Sequence, residues 1–172
     1  MTALVWEKPL AKLHDRASFD CDDADLNAYL QRYARQNHDS GGAKCFVAAL
    51  TATPSRILGF YTLSPASIEY RRTPALAKKG LARYDVPVFR LGRLAVDKEL
   101  QGRGLGGALL LRAADRSIRV AAEVGGVALL IDAKHERAAQ WYASYGALPL
   151  LDAPLSLVLP FGVAIDAIKR GI

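Results

Sequence analysis

Long apolar runs are missing from this 172-residue chain. No stretch approaches the roughly 20 uncharged apolar residues that span a bilayer, and no basic start leads into an apolar run near the N-terminus. A soluble, cytoplasmic protein with no membrane partner is expected. Cysteine is scarce: Cys21 and Cys45 lie far apart and form no CxxC pair, which excludes a disulfide framework and a zinc ribbon. The three histidines, His14, His38 and His135, share no ligand spacing with cysteines or carboxylates, so no metal is expected. Repeats, low-complexity tracts and dividing linkers are also missing. One domain over residues 1–172 is the reading that remains.

The chain does contain enough hydrophobic residues, 51% against 23% charged, to bury a core. Its formal net charge of +6 and pI near 9.5 favour an anionic partner, whether a coenzyme, RNA or an acidic protein.

Local patterning gives an alternation of elements. A helix begins after Cys21, capped by Asp22 or Asp23, with Leu26, Tyr29, Leu30 and Tyr33 at helical spacing, and breaks at the turn formers of residues 38–42. Residues 44–50 read as a strand, 53–55 as a turn and 57–68 as the antiparallel return. Residues 70–86 read as a mobile loop with at most one short helix. A strand over 88–97 runs into a glycine loop. An amphipathic helix over 105–124 follows, ended by Gly125-Gly126. A strand over 127–131, a helix over 136–145 closed by Gly146, a strand over 155–159 and a short helix over 164–170 complete the chain.

The glycine loop, Gln101-Gly102-Arg103-Gly104-Leu105-Gly106 with Gly107 behind it, carries chemistry. A strand that delivers a glycine-rich turn into a helix start leaves unpaired N–H groups, reinforced by the helix dipole, aimed at an anion. Glycine lets the backbone approach oxygen atoms that a Cβ would hold away, and a diphosphate is the natural occupant. A P-loop would need lysine and then serine or threonine after the second glycine, yet Gly107-Ala108 follow Gly106. A dinucleotide-binding unit would place its loop after the first strand, whereas several elements precede this one.

With those residues in view, the sequence resembles the GCN5-related N-acetyltransferase (GNAT) superfamily, whose hallmark Q/R-x-x-G-x-G/A loop is matched in full by Gln101 to Gly106. The resemblance covers most of the chain. It implies an α/β (α+β) single-domain GNAT fold, a mixed central sheet with helices on both faces, and acetyl-CoA as co-substrate. Three phrases carry a closer resemblance: Leu26-Asn27-Ala28-Tyr29-Leu30, Leu58 to Ser64, and Leu91 to Asp97. Together they look like the acetyltransferase toxins of bacterial toxin–antitoxin pairs. That resemblance implies acetylation of the α-amino group of aminoacyl-tRNA, inhibition of translation, a ribbon-helix-helix antitoxin as partner and a homodimer. An N-acetyltransferase of a small-molecule or protein amine is the alternative.

Amide formation needs a neutral amine, a stabilised oxyanion and a proton for the departing thiolate. The resemblance puts the acetyl carbonyl and pantetheine against the backbone of Leu94, Ala95 and Val96. Tyr142, in Trp141-Tyr142-Ala143-Ser144-Tyr145-Gly146, matches the family's tyrosine and is the candidate general acid: an ordinary phenol near 10 stays protonated beside a thiol near 8.5. An α-amino group near 7.7–8.0 is partly neutral at physiological pH, so no dedicated base is required, although Asp132, His135 and Glu136 lie nearby in sequence. Arg32, Arg35, Arg71, Arg72, Lys78 and Lys79 stand outside the cofactor loop and are the candidate RNA contacts.

Overall fold

The computed structural model describes residues 5–171; residues 1–4 and 172, which the expected domain includes, and the side chains of Val5 and Trp6 lie outside that description. Thirteen elements are named here: β1 (Val5–Pro9), α1 (Ala24–Arg32), α2 (Ala34–Ser40), β2 (Lys44–Leu50), β3 (Gly59–Ile68), α3 (Ala75–Lys78), β4 (Val86–Val96), α4 (Leu105–Val124), β5 (Ala128–Asp132), α5 (Glu136–Ala143), β6 (Leu148–Leu150), β7 (Ala153–Pro160) and α6 (Phe161–Lys169). The strands hydrogen-bond in the order β1-β2-β3-β4-β5-β7-β6. The sheet is mixed as expected, with β4 and β5 parallel and β1·β2, β2·β3, β5·β7 and β6·β7 antiparallel.

The described residues form two compact units, one running through residue 64 together with 93–112, the other made of 65–92 together with 113–171. In the first, Asp23 caps α1 by accepting from the N–H groups of Asp25 and Leu26. Asp22 instead takes φ +64°, and its N–H donates to the Asp20 carboxylate at 2.9 Å. Leu30, Phe19, Cys45, Val47, Phe60 and Ala95 share this unit's core. Because neighbouring strand residues face opposite ways, Gly59 lies on the other face from Phe60. A Cβ on Gly59 would stand 2.8 Å from Leu109 Cδ1 and 2.9 Å from the Ala95 carbonyl oxygen, so glycine there admits α4.

The second unit packs Ile68, Val86, Val88, Leu130, Leu150 and Val158 into its own core. Here the 70–86 segment is built rather than loose. A 3₁₀ turn over Tyr70–Arg72 is held by Thr73 Oγ1 donating to the Glu69 carbonyl at 2.9 Å and by Arg72 Nε donating to both oxygens of Asp152 at 2.9 Å. Two strands, β6 and β7, stand where one was expected, and α6 begins at Phe161 rather than 164. The first helical segment is divided at Tyr33, whose φ −121° and ψ −29° leave the helical region. Strand β1 was not anticipated.

Candidate active site

The glycine loop is fixed before it starts. At the end of β4, buried Asp97 accepts from Glu99 N–H at 3.1 Å and Asp20 N–H at 3.3 Å, while its own N–H donates to the Leu58 carbonyl at 2.8 Å. Lys98 pairs with Asp20 at 3.1 Å. The Asp20 carboxyl is held down at about 2, chiefly by the Asp22 N–H, then by the Asn27 amide and Lys98. Gln101, although exposed, folds back on the chain: its Nε2 donates to the Val96 carbonyl at 2.9 Å and the Cys21 carbonyl at 3.1 Å. Its side chain shapes the loop, and the loop's anion contacts are left to the backbone.

Gly102 and Gly104 both sit in the left-handed region, at φ +78° and +84°, with open space where a Cβ would be. Conformation therefore selects glycine there, and the open space is room for a ligand. Ala108 N–H bonds the Gly104 carbonyl at 3.1 Å, so α4 starts at Leu105 with the N–H groups of Leu105, Gly106 and Gly107 lacking intrahelical acceptors. No acidic residue stands in its first turn. The helix spans 20 residues, and its dipole places partial positive charge at this end. Beside it lies a cavity of about 610 Å³ whose lining includes Leu50, Leu58, Arg103, Gly104, Ala108 and Arg112. Both arginines are exposed, and neither has an ion pair among the described residues. A diphosphate with an organic tail fits these features: backbone donors at the helix start, two unpaired guanidinium groups and apolar lining. Arg112 was missed from sequence; its signal was its place four residues after Ala108, on the face that continues the loop.

On β4, Ala95 is buried, and Leu94 and Val96 are half-buried. The parallel ladder with β5 pairs Phe89–Leu91 with Leu129–Ile131, and β4 continues past it through residues 92–96.

Tyr142 lies on α5, half-buried, with the Trp141 ring edge-on at 4.9 Å. Its hydroxyl hydrogen-bonds no described residue, and burial pushes the phenol up to about 12. Trp141 also packs edge-on against Tyr145. Gly146, at φ +100°, could not carry a Cβ without meeting Val163 Cγ1 at 2.4 Å.

The groups near Tyr142 in sequence that could act as a base are otherwise engaged or exposed. Asp132 pairs with Arg90 and accepts from Ser156 Oγ at 2.9 Å. His135 caps α5, its Nδ1 accepting from Ala138 N–H at 3.1 Å. His14 and His38 likewise accept through Nδ1 from backbone N–H groups, of Ala11 and Cys45, each at 2.9 Å, and burial lowers both pKa values. Glu136 is exposed in the first turn of α5.

The six cations read as RNA contacts divide. Arg35 pairs with Asp39 at 3.1 Å, Arg71 with Glu69 at 2.8 Å and Arg72 with Asp152. Lys78 donates to the Tyr70 carbonyl at 2.8 Å and lies 4.2 Å above the Tyr70 ring. Arg32 and Lys79 are exposed and have no partner among the described residues. Among those residues no group of three or more His, Cys, Asp or Glu is placed to hold a metal ion, and no helix is long and apolar enough to cross a membrane.

This loop, strand and helix are those of an acetyltransferase. The acetyltransferase (GNAT) domain family matches residues 41–146, and the chain belongs to that family. It is an N-acetyltransferase with the GNAT fold. A tRNA-acetylating toxin of Mycobacterium tuberculosis (strain ATCC 25618 / H37Rv) is 37% identical over 145 residues, 84% of this chain and 85% of the relative. The solved structure of AtaT complexed with acetyl-methionyl-tRNAfMet superposes with a TM-score of 0.87 at 26% identity, covering 96% of this chain and 99% of that one. A tyrosine-to-phenylalanine mutant of the AtaT toxin, bound to the C-terminus of the antitoxin AtaR and acetyl-CoA, superposes with a TM-score of 0.80 at 26% identity, covering 96% and 98%.

Proposed function

We propose that this protein is the toxin of a bacterial toxin–antitoxin pair, which transfers the acetyl group of acetyl-CoA to the α-amino group of aminoacyl-tRNA and thereby blocks translation. The observation that carries this reading is the 37% identity, along 84% of the chain, to a tRNA-acetylating toxin. The likeness to AtaT in its acetylated-tRNA complex supports it.

Acetyl-CoA supplies the acyl group as a thioester. The loop residues Gln101 to Gly107 and the start of α4 hold its diphosphate through backbone N–H groups, with Arg103 adding charge. The backbone of Leu94, Ala95 and Val96 orients the thioester and polarises its carbonyl. The amine nitrogen forms the new C–N bond as the C–S bond breaks. Tyr142 donates its proton to the departing sulfur, the amine's proton leaves to water, and water returns a proton to the phenol so that the acid is restored for the next turnover. A phenol held at about 12 keeps its proton throughout the physiological range.

The reading also includes one acetyltransferase domain over residues 1–172, a homodimer, a cytoplasmic location and a ribbon-helix-helix antitoxin. The solved complex of a relative with its antitoxin's C-terminus supports an antitoxin partner. Incubation of purified protein with labelled acetyl-CoA and charged tRNA tests the activity, and labelled aminoacyl-tRNA is expected. If no label enters tRNA across all amino acids while polyamines or lysine peptides are acetylated, the protein is an ordinary amine acetyltransferase.

A further inference from the structure

Within the segment between β3 and β4, some basic residues hold the structure together and others do not. Arg72 is tied to Asp152, and Lys78 closes on the carbonyl and ring of Tyr70. Leu151 N–H donates to the Arg72 carbonyl at 3.1 Å, while Thr73 and Pro74 are buried. These contacts make a firm base. On it stands an open cleft of about 600 Å³ lined by Glu69, Tyr70, Arg71, Arg83, Tyr84 and Asp85.

Three side chains of that cleft stand out in solvent. Tyr84 is 79% exposed, the most exposed large hydrophobic residue among those described, so a whole aromatic face meets water. Beside it Arg83 is exposed with no partner among the described residues. The Arg71 guanidinium is paired with Glu69 and leaves 84% of its side chain in solvent. A small metabolite would gain little burial in so open a site. Single-stranded nucleic acid has the opposite requirement: an aromatic face for a base to stack on, and guanidinium groups that track the backbone phosphates. Two carboxylates, Glu69 and Asp85, also line the cleft. They oppose phosphate, yet they can accept hydrogen bonds from the amino groups of bases.

We infer that this cleft is a single-stranded RNA contact, in which Tyr84 stacks on a base while Arg83 and Arg71 contact flanking phosphates. The inference rests on the RNA-acceptor reading above and assigns it a surface. Tyr84 and Arg83 replace the structurally engaged Arg72 and Lys78 as its principal residues.

The test is binding of the full chain to a fluorescent single-stranded RNA oligonucleotide by anisotropy, run beside acetylation of charged tRNA. Tyr84→Ala is expected to weaken oligonucleotide binding roughly 5- to 150-fold, the range of one lost stacking contact. Tyr84→Phe should retain most of the affinity, because the ring remains. Arg83→Ala should weaken binding and flatten its salt dependence, by about 0.7 in the slope of log K against log salt for one phosphate. In the acetylation assay, Tyr84→Ala should raise KM for charged tRNA and leave KM for acetyl-CoA unchanged.

Active wild-type enzyme with Tyr84→Ala indistinguishable in both assays overturns the inference while the tRNA reading stands. RNA binding that depends on Tyr84, without acetylation of any charged tRNA, supports the cleft and overturns the proposed acceptor. A wild-type chain that binds no RNA overturns the inference.

Discussion

Gln101 is hydrogen-bonded through one nitrogen to two carbonyl groups, those of Val96 at 2.9 Å and Cys21 at 3.1 Å. The hallmark residue of the loop therefore ties the end of β4 to the segment that precedes α1, and the glycines that follow inherit a fixed starting point. Each such bond is worth about 0.5–1.5 kcal/mol net. Gln101→Ala is expected to raise KM for acetyl-CoA about fivefold or more, with kcat nearly unchanged, in steady-state assays. An unchanged KM with a lowered Tm would make the clip purely architectural.

Tyr142→Phe removes the proposed proton donor and keeps the ring that Trp141 packs against. General acid catalysis is typically worth about 10²–10⁴-fold, and a fall in kcat of that order is expected. Acetyl-CoA affinity by calorimetry should stay within about twofold, since the proposed role is confined to the transition state. Retention of full turnover would remove Tyr142 from the mechanism.

The pH profile follows from the same residue. Activity should rise as the acceptor α-amino group loses its proton, near 7.7–8.0. Burial disfavours the phenolate and moves loss of the Tyr142 proton up to about 12, so the acid form persists across the assay range. A single ascending limb with a plateau to at least pH 10 is expected. A descending limb centred between 9 and 10 would instead identify an unshifted acid elsewhere.

Gly59→Ala tests the approach of α4 to the sheet. The new Cβ would meet a backbone oxygen, that of Ala95, at 2.9 Å and Leu109 Cδ1 at 2.8 Å. The side chain can rotate aside, but the carbonyl belongs to β4. Overpacking of this kind costs roughly 1–3 kcal/mol, a fall in Tm of about 2–12 °C for a chain of this size. A calorimetric scan showing no change would mean that the strands separate freely.

The progression from β4 through the loop into α4 was legible in sequence because each part follows from local chemistry. An apolar strand, glycines where φ is positive and a proline-free amphipathic run need no distant partner to be recognised. Strand β1 was not legible: Val5–Pro9 contains two charged residues and a proline, which suits an edge, and its pairing with β2 lies some 40 residues away. The basic residues show the same limit. Their charge is plain in the sequence, but Arg72 finds Asp152 across 80 positions, and only folding separates it from Arg83. The start of α5 was legible because capping is local: His135 immediately precedes the helix expected from residue 136. That Gln101 bonds back to the chain could not be read, since its acceptor at Cys21 is also 80 positions away.

Both acceptors of Gln101 are main-chain oxygens, and every residue type has one. Mutation at position 21 or 96 can therefore alter the side chain without deleting the contact, whereas only a residue with glutamine's reach and donor can replace Gln101. Saturation mutagenesis scored by growth arrest should show an asymmetric pattern, intolerant at 101 and permissive to similarly sized apolar residues at 21 and 96. In a drifting lineage the clamp would keep its grip while the sequence around it changes.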